Sequence, residues 1–355
     1  MSTRKRTNAA AGAGTPKRAP ARKKANRMQQ IAAGTLLTTT QKKQWKVGPS
    51  IGSGGFGDIY CAYDTSAATP RSFEHYPLVV KIEPHTNGPL FVEKSFYMKH
   101  LLKDGLDDYR KRHKLKHLGV PHFLGSGSQE IDGTKYRFLV IPRYGESLQS
   151  VYQRSGKMIP VHTVYRIALQ MIDVLEYIHS CQYVHADLKA ANITLGFRQE
   201  ASEHVFLVDF GLTARIAPDG TKPDPKKKHN GTIEYTSRDA HAGLTTVRGD
   251  LEILAYNVIV WAGGSLPWEE QRSLKDMSKV EAMKKDFWDD LTGSLKSCFA
   301  GKNANFKPIE KYMKLIADLG CYEVPKYSTL SKVFKDGLVK LGVPNKGPLE
   351  FDEED

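Results

Sequence analysis

The stretch HADLKAAN at residues 185–192 lies near the middle of this 355-residue chain, and DFG follows it at residues 209–211. Transfer of a phosphoryl group requires a carboxylate that accepts the proton of the attacking hydroxyl, together with oxygen atoms that hold Mg²⁺. The two segments carry such groups in the required order. We therefore expect Asp187 to act as the base, and Asn192 and Asp209 to be metal ligands.

A glycine-rich stretch lies upstream, IGSGGFGDI at residues 51–59, and fits the pattern G-x-G-x-x-G-x-[VI]. Because glycine has no side chain, the backbone N–H groups of such a loop can approach the phosphates of a nucleotide. Taken alone, the spacing also fits a dinucleotide-binding fold or an ordinary glycine-rich turn. The order of the motifs favours a nucleotide loop, with contacts expected from Ile51, Gly52, Ser53, Gly54, Gly55, Phe56, Gly57 and Ile59.

The run LVVKI at residues 78–82 is short and β-branched, which predicts a buried strand with a lysine inside it. A buried charge is costly unless it is paired, and Glu93, in the helix-like stretch 89–98, is the expected partner. The pair would leave Lys81, beside Val79, to bind the α- and β-phosphates of ATP. In the alternative interpretation, Lys81 reaches solvent from a strand edge and Glu93 lies on an exposed helix face. The other motifs favour the ion pair, and the whole set is typical of protein kinases.

Composition limits the classes of protein that this chain can be. Its length suits a two-lobed enzyme with tails, and 40% hydrophobic residues suit a globular fold. No apolar run approaches the roughly 20 residues that span a bilayer, so we expect no membrane partner. The four cysteines are scattered, have no metal-ligand spacing and follow no secretory signal, which favours a reducing interior.

The net charge of +13 is concentrated near the N-terminus. Residues 1–57 contain twelve Lys or Arg and no acidic residue, which leaves 40 basic and 39 acidic residues elsewhere. The first basic clusters are separated by Ala, Gly, Thr and Pro, which cannot build a core. We expect residues 1–44 to form a basic, largely disordered tail, and residues 342–355 a short acidic tail. Its last residues, 350–355, are expected in solvent, with folding back onto the basic tail as the alternative.

Three roles are open for the basic tail: a nuclear targeting signal, a nucleic-acid-binding arm or a solubilising segment. Nuclear targeting is favoured, because short basic clusters split by proline resist forming the amphipathic helix of a mitochondrial presequence. Contact of residues 1–30 with DNA or a nucleosome is compatible with targeting and would weaken as salt is added. We expect a nuclear location and leave a cytoplasmic pool open.

The pattern along residues 45–341 predicts an α+β fold with the two lobes of a protein kinase, a β-rich N-lobe up to residue 141 and a helical C-lobe from residue 146. The main predicted elements are strands 47–51, 58–63, 79–83, 136–141 and 205–208, and helices 89–98, 161–181 and 251–261.

Residues 142–145 would form the hinge between the lobes. Backbone groups of Pro142, Arg143 and Tyr144 are expected to meet the adenine, with Ile141 as gatekeeper. Pro142 itself has no N–H to donate.

Five further runs are informative: NGPLF at 87–91, LKHLGVP at 115–121, GTIEYTSRDAH at 231–241, RGDLEIL at 248–254 and LPW at 266–268. Together they resemble the vaccinia-related kinases, a branch close to casein kinase 1. The resemblance implies a nuclear Ser/Thr kinase that uses ATP with Mg²⁺ or Mn²⁺ and phosphorylates proteins on chromatin. Histone tails and the DNA-bridging barrier-to-autointegration factor are the substrate types it implies.

The resemblance also implies roles for three more residues. Lys189 would stabilise the moving phosphoryl group, Thr232 would hydrogen-bond near Asp187 and Lys189, and Asp250 would steady the catalytic loop. For Asp250, an N-cap of helix 251–261 stays equally open.

The histidines are expected to serve structure. His185 would brace the catalytic loop, because kinase chemistry gives proton acceptance to the aspartate. His229 and His241 are expected at the surface or on the substrate side.

Two departures from the common kinase pattern concern regulation. Ala186 replaces the Arg of H-R-D, the cation that usually binds a phosphorylated activation loop. SRD at 237–239 stands where most kinases have A-P-E, and the family resembled here shares that replacement. We hypothesise that the kinase is active without phosphorylation of loop residues such as Thr213 and Thr221.

Two other classes of function stay open. A catalytically inactive kinase-fold scaffold could bind chromatin partners, although none of the motif residues is lost. A DNA-binding protein of kinase shape depends on the basic tail alone. Catalysis by Asp187, Lys189, Lys81 and Glu93 is favoured, in what we expect to be a monomer.

Overall fold

The computed structural model describes residues 30–39, 41–53, 57–197, 203–302 and 306–351. The N-lobe is built on a six-stranded antiparallel sheet. Its strands are β1 (Leu36–Thr38), β2 (Gln44–Ser53), β3 (Asp58–Asp64), β4 (Leu78–Pro84), β5 (Gly125–Ile131) and β6 (Thr134–Pro142). They are arranged in the order β1-β2-β3-β4-β6-β5, so that β4, which carries Lys81, lies inside the sheet.

Alternate residues of β4 face opposite sides of the sheet, as the two-residue period of a strand requires. Val80 packs into the N-lobe core with Trp45 and Val140. Val79 and Lys81 face the other side, where helix α1 (Pro89–His100) and the C-lobe lie. The alternation therefore directs Lys81 into the cleft between the lobes.

The helices that follow α1 are mostly in the C-lobe. They are α2 (Lys103–Arg112), α3 (Leu148–Arg154), α4 (Val161–Ser180), α5 (Arg238–Ala242), α6 (Val247–Trp261), α7 (Gln271–Leu274), α8 (Met277–Asp289), α9 (Leu291–Cys298), α10 (Lys307–Ala317) and α11 (Tyr327–Lys340). Only Arg248 of α6 is not buried, which is expected of a helix at the centre of a large domain. No helix in the described ranges is long and apolar enough to cross a bilayer.

Two short antiparallel pairs set the positions of the catalytic motifs. β7 (Tyr183–Val184) pairs with β10 (Ala214–Arg215), and β8 (Ile193–Leu195) pairs with β9 (Val205–Leu207). The HADLKAAN stretch connects β7 to β8, and DFG lies between β9 and β10. The pairing of these strands therefore brings the two motifs together at one end of the C-lobe.

The architecture predicted from the sequence is confirmed: an α+β fold of two lobes, with a β-rich N-lobe and a helical C-lobe. Each predicted strand and helix is present, and α6 begins before its predicted start, at Val247. Among the strands of the N-lobe sheet, β1 and β5 were not predicted. In β5 the alternating pattern is hidden by small residues, because a Cβ at Gly127 would clash with the ring of Phe138.

The folded part of the chain begins before residue 45, where we placed the end of the tail. Leu37 in β1 is fully buried, and Ile31 packs into the same core and donates its N–H to the Tyr60 hydroxyl at 3.0 Å. A three-residue strand in a threonine-rich stretch gives too short a pattern to recognise. The basic clusters within residues 1–29 lie outside the described residues.

The folded part of the chain also continues past residue 341, where we placed the start of the C-terminal tail. Leu349 is buried in the C-lobe core, and Arg166 of α4 donates to the carbonyl of Pro348 at 2.7 Å and of Pro344 at 3.2 Å. The buried Arg166 needs acceptors, and this segment supplies them. Residues 352–355 lie outside the described part of the chain.

Candidate active site

Lys81 lies between two carboxylates. Its Nζ is 2.6 Å from Glu93 Oε2 and 3.1 Å from Asp209 Oδ1. Burial opposes the charge of Lys81, but the two carboxylates outweigh it and raise the pKa of Lys81 above its ordinary value. Because Glu93 is almost fully buried and β4 is an interior strand, the alternative of an exposed strand edge is excluded.

The contact with Lys81 leaves Glu93 and Asp209 with pKa values shifted in opposite directions. Burial raises the pKa of Glu93, and Lys81 offsets only part of that effect. Burial also disfavours the Asp209 carboxylate, but Lys81 outweighs it and lowers the pKa of Asp209. Glu93 Oε1 accepts the N–H of Phe210 at 3.4 Å, so α1, β4 and the DFG motif are joined in one network.

Asp187 is surrounded by donors. Lys189 Nζ lies 2.7 Å from Asp187 Oδ2 and 2.7 Å from Thr232 Oγ1. Thr232 donates both its N–H, at 2.9 Å, and its hydroxyl, at 2.7 Å, to Asp187 Oδ1. The contact between Thr232 and the pair Asp187–Lys189, implied by the family resemblance, is present.

Asp250 fixes the backbone of the catalytic loop. Its carboxylate accepts the N–H of His185 at 2.7 Å and of Ala186 at 2.9 Å. The N-cap interpretation of Asp250 is wrong, because α6 begins at Val247 and the hydroxyl of Thr246 caps it by accepting the N–H of Gly249.

A stack of rings connects α1 to the catalytic loop through Phe210. The ring centroid of Phe210 lies 5.4 Å from that of Tyr97, 4.9 Å from that of Phe96 and 5.1 Å from that of His185. His185 is fully buried, and burial lowers its pKa, which favours a neutral ring. This position suits the bracing role expected of His185.

The candidate metal ligands keep oxygen atoms unused. Asn192 Nδ2 donates to the carbonyl of Asp187 at 2.8 Å and to Asp187 Oδ2 at 3.2 Å. Asp209 Oδ1 is occupied by Lys81 and by the N–H of Gly211. Within the described part of the chain, no donor contacts Asn192 Oδ1 or Asp209 Oδ2. Two free oxygen ligands of this kind suit Mg²⁺ or Mn²⁺.

The hinge offers one free backbone donor. The N–H of Arg143 is bound to the carbonyl of Pro77 at 2.9 Å, and that of Gly145 to the carbonyl of Leu195 at 2.9 Å. Pro142 has no N–H. Among the described residues nothing pairs with the N–H of Tyr144, so Tyr144 is the hinge residue that can donate to an adenine. Arg143, which we also expected to contribute, uses its N–H within the protein.

The glycine-rich loop is described only in part. Ile51, Gly52 and Ser53 end β2, where Ile51 is exposed over the cleft, and Ile59 in β3 pairs with Lys81. Gly57 is needed for packing, because a Cβ there would clash with the carbonyl of Ile82. Gly54, Gly55 and Phe56 lie outside the described residues. At the back of the cleft, Val79 and Ile141 are register partners on β4 and β6.

The SRD stretch takes part in ion pairs. Asp239 Oδ1 lies 2.6 Å from Arg248 Nη2, and Arg238 Nε lies 3.1 Å from the buried Glu252. These pairs tie residues 238 and 239, at the end of the activation segment that follows DFG, to α6. The departure from A-P-E therefore leaves this part of the fold intact.

Sequence reasoning missed what lies beneath the activation segment. Lys284 of α8 is fully buried, although a lysine on an amphipathic helix gives no sign of this. His241 is also fully buried, so its predicted surface position is wrong, whereas His229 is half-buried. The helix α5 turns His241 inward, where its Nδ1 lies 2.7 Å from Nδ1 of His229.

Comparisons with known proteins agree with this geometry. A family model described as the protein kinase domain matches residues 98–335. The solved structure of vaccinia related kinase 3 superposes with a TM-score of 0.77 at 26% identity, covering 92% of this chain and 97% of that one.

Curated relatives identify the branch. Nucleosomal histone kinase 1 of Drosophila melanogaster is 46% identical, and the match covers 91% of this chain and 53% of that protein. Serine/threonine-protein kinase VRK2 of Homo sapiens is 40% identical, covering 90% and 61%. The B1 kinase of Monkeypox virus is 33% identical, covering 86% of this chain and 98% of the viral protein. This chain belongs to the vaccinia-related kinase family.

These relatives differ in length. The chain spans about half of the Drosophila protein and about three-fifths of the human one, but it matches nearly the whole viral kinase. The range that the protein kinase model matches, residues 98–335, includes Asp187 and Asp209.

Proposed function

We propose that this chain is a serine/threonine protein kinase that transfers the γ-phosphate of ATP, with Mg²⁺ or Mn²⁺, to hydroxyl groups of proteins on chromatin. The observation that carries the proposal is the joined network at Asp187, where Lys189 and Thr232 contact its carboxylate and Asn192 contacts it through an amide. A carboxylate held this way is placed to accept the proton of a substrate hydroxyl.

The roles of the other residues follow from their contacts. Lys81, held by Glu93, would bind the phosphates, and Asn192 and Asp209 would hold the metal through their free oxygens. The bound metal would supply neutralisation of charge on the phosphates. Tyr144 would donate its N–H to the adenine. Ile51, Ile59, Val79 and Ile141 would enclose the base, with the glycine loop over the phosphates.

Conformation supports activity without a prior switch. The Lys81–Glu93 pair, which activation of a kinase must assemble, is present. It occurs together with the contact of Phe210 with Tyr97 and the Thr232–Asp187 contact. Because Ala186 gives the loop no arginine for a phosphate to bind, phosphorylation of the activation segment is not required. The enzyme is constitutively active in this proposal.

Chromatin substrates and a nuclear location rest on the relatives and the basic N-terminus. The Drosophila relative is named a nucleosomal histone kinase. Residues 1–30 carry nine basic and no acidic residues, which suits nuclear targeting or contact with DNA. Histones come first among the substrates, followed by DNA-bridging proteins of the barrier-to-autointegration type.

The experiment that tests the proposal compares phosphate transfer to histones in nucleosomes and to free histones, by the full chain and by a chain lacking residues 1–30. We expect both chains to phosphorylate free histones equally, and the truncated one to act less on nucleosomes, with a difference that shrinks as salt is added. A chain that binds DNA through residues 1–30 and transfers no phosphate to either substrate would contradict the proposal.

A further inference from the structure

The segment GTIEYTS at residues 231–237 reaches the candidate active site and is held from beneath by α8. At its start, Thr232 contacts Asp187 and Lys189. Further along, the carbonyls of Ile233 and Thr236 accept hydrogen bonds from Lys284 Nζ at 2.8 and 2.6 Å. One side chain therefore ties both ends of the turn that follows Thr232.

Lys284 is fully buried, and its surroundings offer few other uses for its hydrogens. Its Nζ lies 3.4 Å from His241 Nε2 and 5.2 Å from the ring centroids of Tyr256 and of Trp268. The indole of Trp268 donates to the carbonyl of Glu234, between the two carbonyls that Lys284 holds, at 2.8 Å. A buried lysine is costly unless its donors are paired, and here the strongest pairs all go to one short segment.

Lys284 can make its hydrogen bonds to the carbonyls of Ile233 and Thr236 whether or not its amine is charged. Burial lowers the pKa of Lys284 to about 7, against the opposing effect of Glu252 and Glu234. The neutral amine still has two N–H groups, enough for the two carbonyls. If this residue only filled the core beneath the segment, an apolar side chain would cost less free energy to bury than a lysine.

The phosphate-dependent clamp of other kinases has no counterpart at the matching position. Ala186 and Lys227 line a cavity of about 100 Å³ beneath the activation segment, where the H-R-D arginine would project. We propose that Lys284 is the positioning residue that holds residues 231–237 in the substrate-accepting conformation, in place of a phosphorylated activation loop. This inference rests on the proposed function, specifically on activity without loop phosphorylation.

A metal site is the competing use of this region. Three possible metal-ligand atoms, one each from His229, His241 and Glu281, lie within 4.8 Å of one another. Lys284 lies against His241, however, and Lys285 Nζ lies 2.7 Å from Glu281, which disfavours an added cation. The hydrogen bond between the two histidines instead extends the contact of Lys284 to the loop before residue 231.

The test is steady-state kinetics of the phosphatase-treated full chain, with mass spectrometry to show that the activation segment carries no phosphate. Wild type is compared with Lys284→Met, Lys284→Gln and Lys285→Met, varying ATP and a histone acceptor separately. We expect Lys284→Met to lower kcat/KM for the histone about tenfold or more, and to leave KM for ATP within about twofold. Lys284→Gln, which keeps two N–H donors, should recover part of the loss, and Lys285→Met should match wild type.

The outcomes separate this inference from the proposed function. If the dephosphorylated wild type does not phosphorylate the histone, activity without loop phosphorylation is overturned, and so is this inference. If dephosphorylated wild type is active and Lys284→Met has the same kcat/KM for the histone, only the role of Lys284 is overturned. Loss of ATP binding in both Lys284 variants would also overturn that role, because Lys284 would then serve the fold of the lobe as a whole.

Discussion

The carboxylate of Asp250 accepts the backbone N–H of His185 at 2.7 Å, across a separation of 65 residues in the chain. Burial disfavours this carboxylate, but His179 outweighs it, and the pKa of Asp250 is lowered. Because Asp187 follows His185 by two residues, α6 sets the position of the candidate base from the centre of the C-lobe.

Asp250→Asn should impair both stability and catalysis. An amide in place of the carboxylate presents an NH₂ group to either His185 or Ala186, which leaves one buried backbone donor unpaired and costs roughly 1–3 kcal/mol. We expect a lower free energy of unfolding in urea and a kcat about tenfold lower. Asp336→Asn, on the exposed face of α11, is the control. A variant with wild-type kcat would show that the loop holds its position without Asp250.

Ala186→Gly should make the protein slightly more stable without loss of activity. Ala186 has a φ of +66°, a conformation that costs a non-glycine residue roughly 1–2 kcal/mol. The greater freedom of glycine in the unfolded chain offsets about 0.4–1 kcal/mol of this gain, so the expected net gain lies between about 0 and 1.6 kcal/mol. Urea denaturation measures it. A clear loss of stability would contradict the strain inferred at Ala186.

The double variant Thr213→Ala, Thr221→Ala should keep activity within about twofold of wild type. Thr213 is buried, and its hydroxyl has no hydrogen-bond partner among the described residues, so its removal costs little. The Thr221 hydroxyl only donates to the nearby carbonyl of Pro218. A folded double variant that has lost histone phosphorylation would contradict activity without loop phosphorylation.

Asp173→Asn should stabilise the protein at neutral pH. Burial raises the pKa of Asp173 to about 6, with Lys335 opposing, so the folded state binds this proton more tightly than the unfolded chain. The charged form therefore costs stability as the pH rises through about 6, and the cost disappears as the pH falls towards about 4. We expect a gain on the order of 1 kcal/mol at about pH 7.5 and roughly a third of that gain at about pH 4.5.

Urea melts at the two pH values measure the effect of Asp173→Asn. Asp336→Asn serves as the matched control, because the pKa of Asp336 is lowered by its hydrogen bond to Lys332 and its replacement should not stabilise. A gain in stability that is equal at both pH values would assign the effect of Asp173→Asn to packing and not to charge.

The residues that come together in the candidate site could be predicted from the sequence because most of them sit in motifs with fixed spacing. Lys81 lies in a β-branched strand, and Asp187, Asn192 and Asp209 lie in two stretches whose order matches the reaction. The fold of both lobes followed from the same patterns.

What the sequence could not show depends on contacts between distant residues. Lys284 looks like a solvent-facing lysine on α8, and only packing against residues 231–237 makes it a buried donor. The choice of Tyr144 as the free hinge donor needed the positions of Pro77 and Leu195, whose carbonyls use the neighbouring N–H groups. The packing of residues 342–351 on α4 likewise depends on Arg166, far away in the chain.

The most direct measurement is transfer of labelled γ-phosphate from ATP to histones, a DNA-bridging protein and casein, by wild type, Lys81→Met and Asp187→Ala. We predict transfer by wild type, with the chromatin proteins preferred, and a loss of about 100-fold or more in each variant. Wild type that binds ATP but transfers no phosphate to any of the three would contradict the account and favour an inactive scaffold.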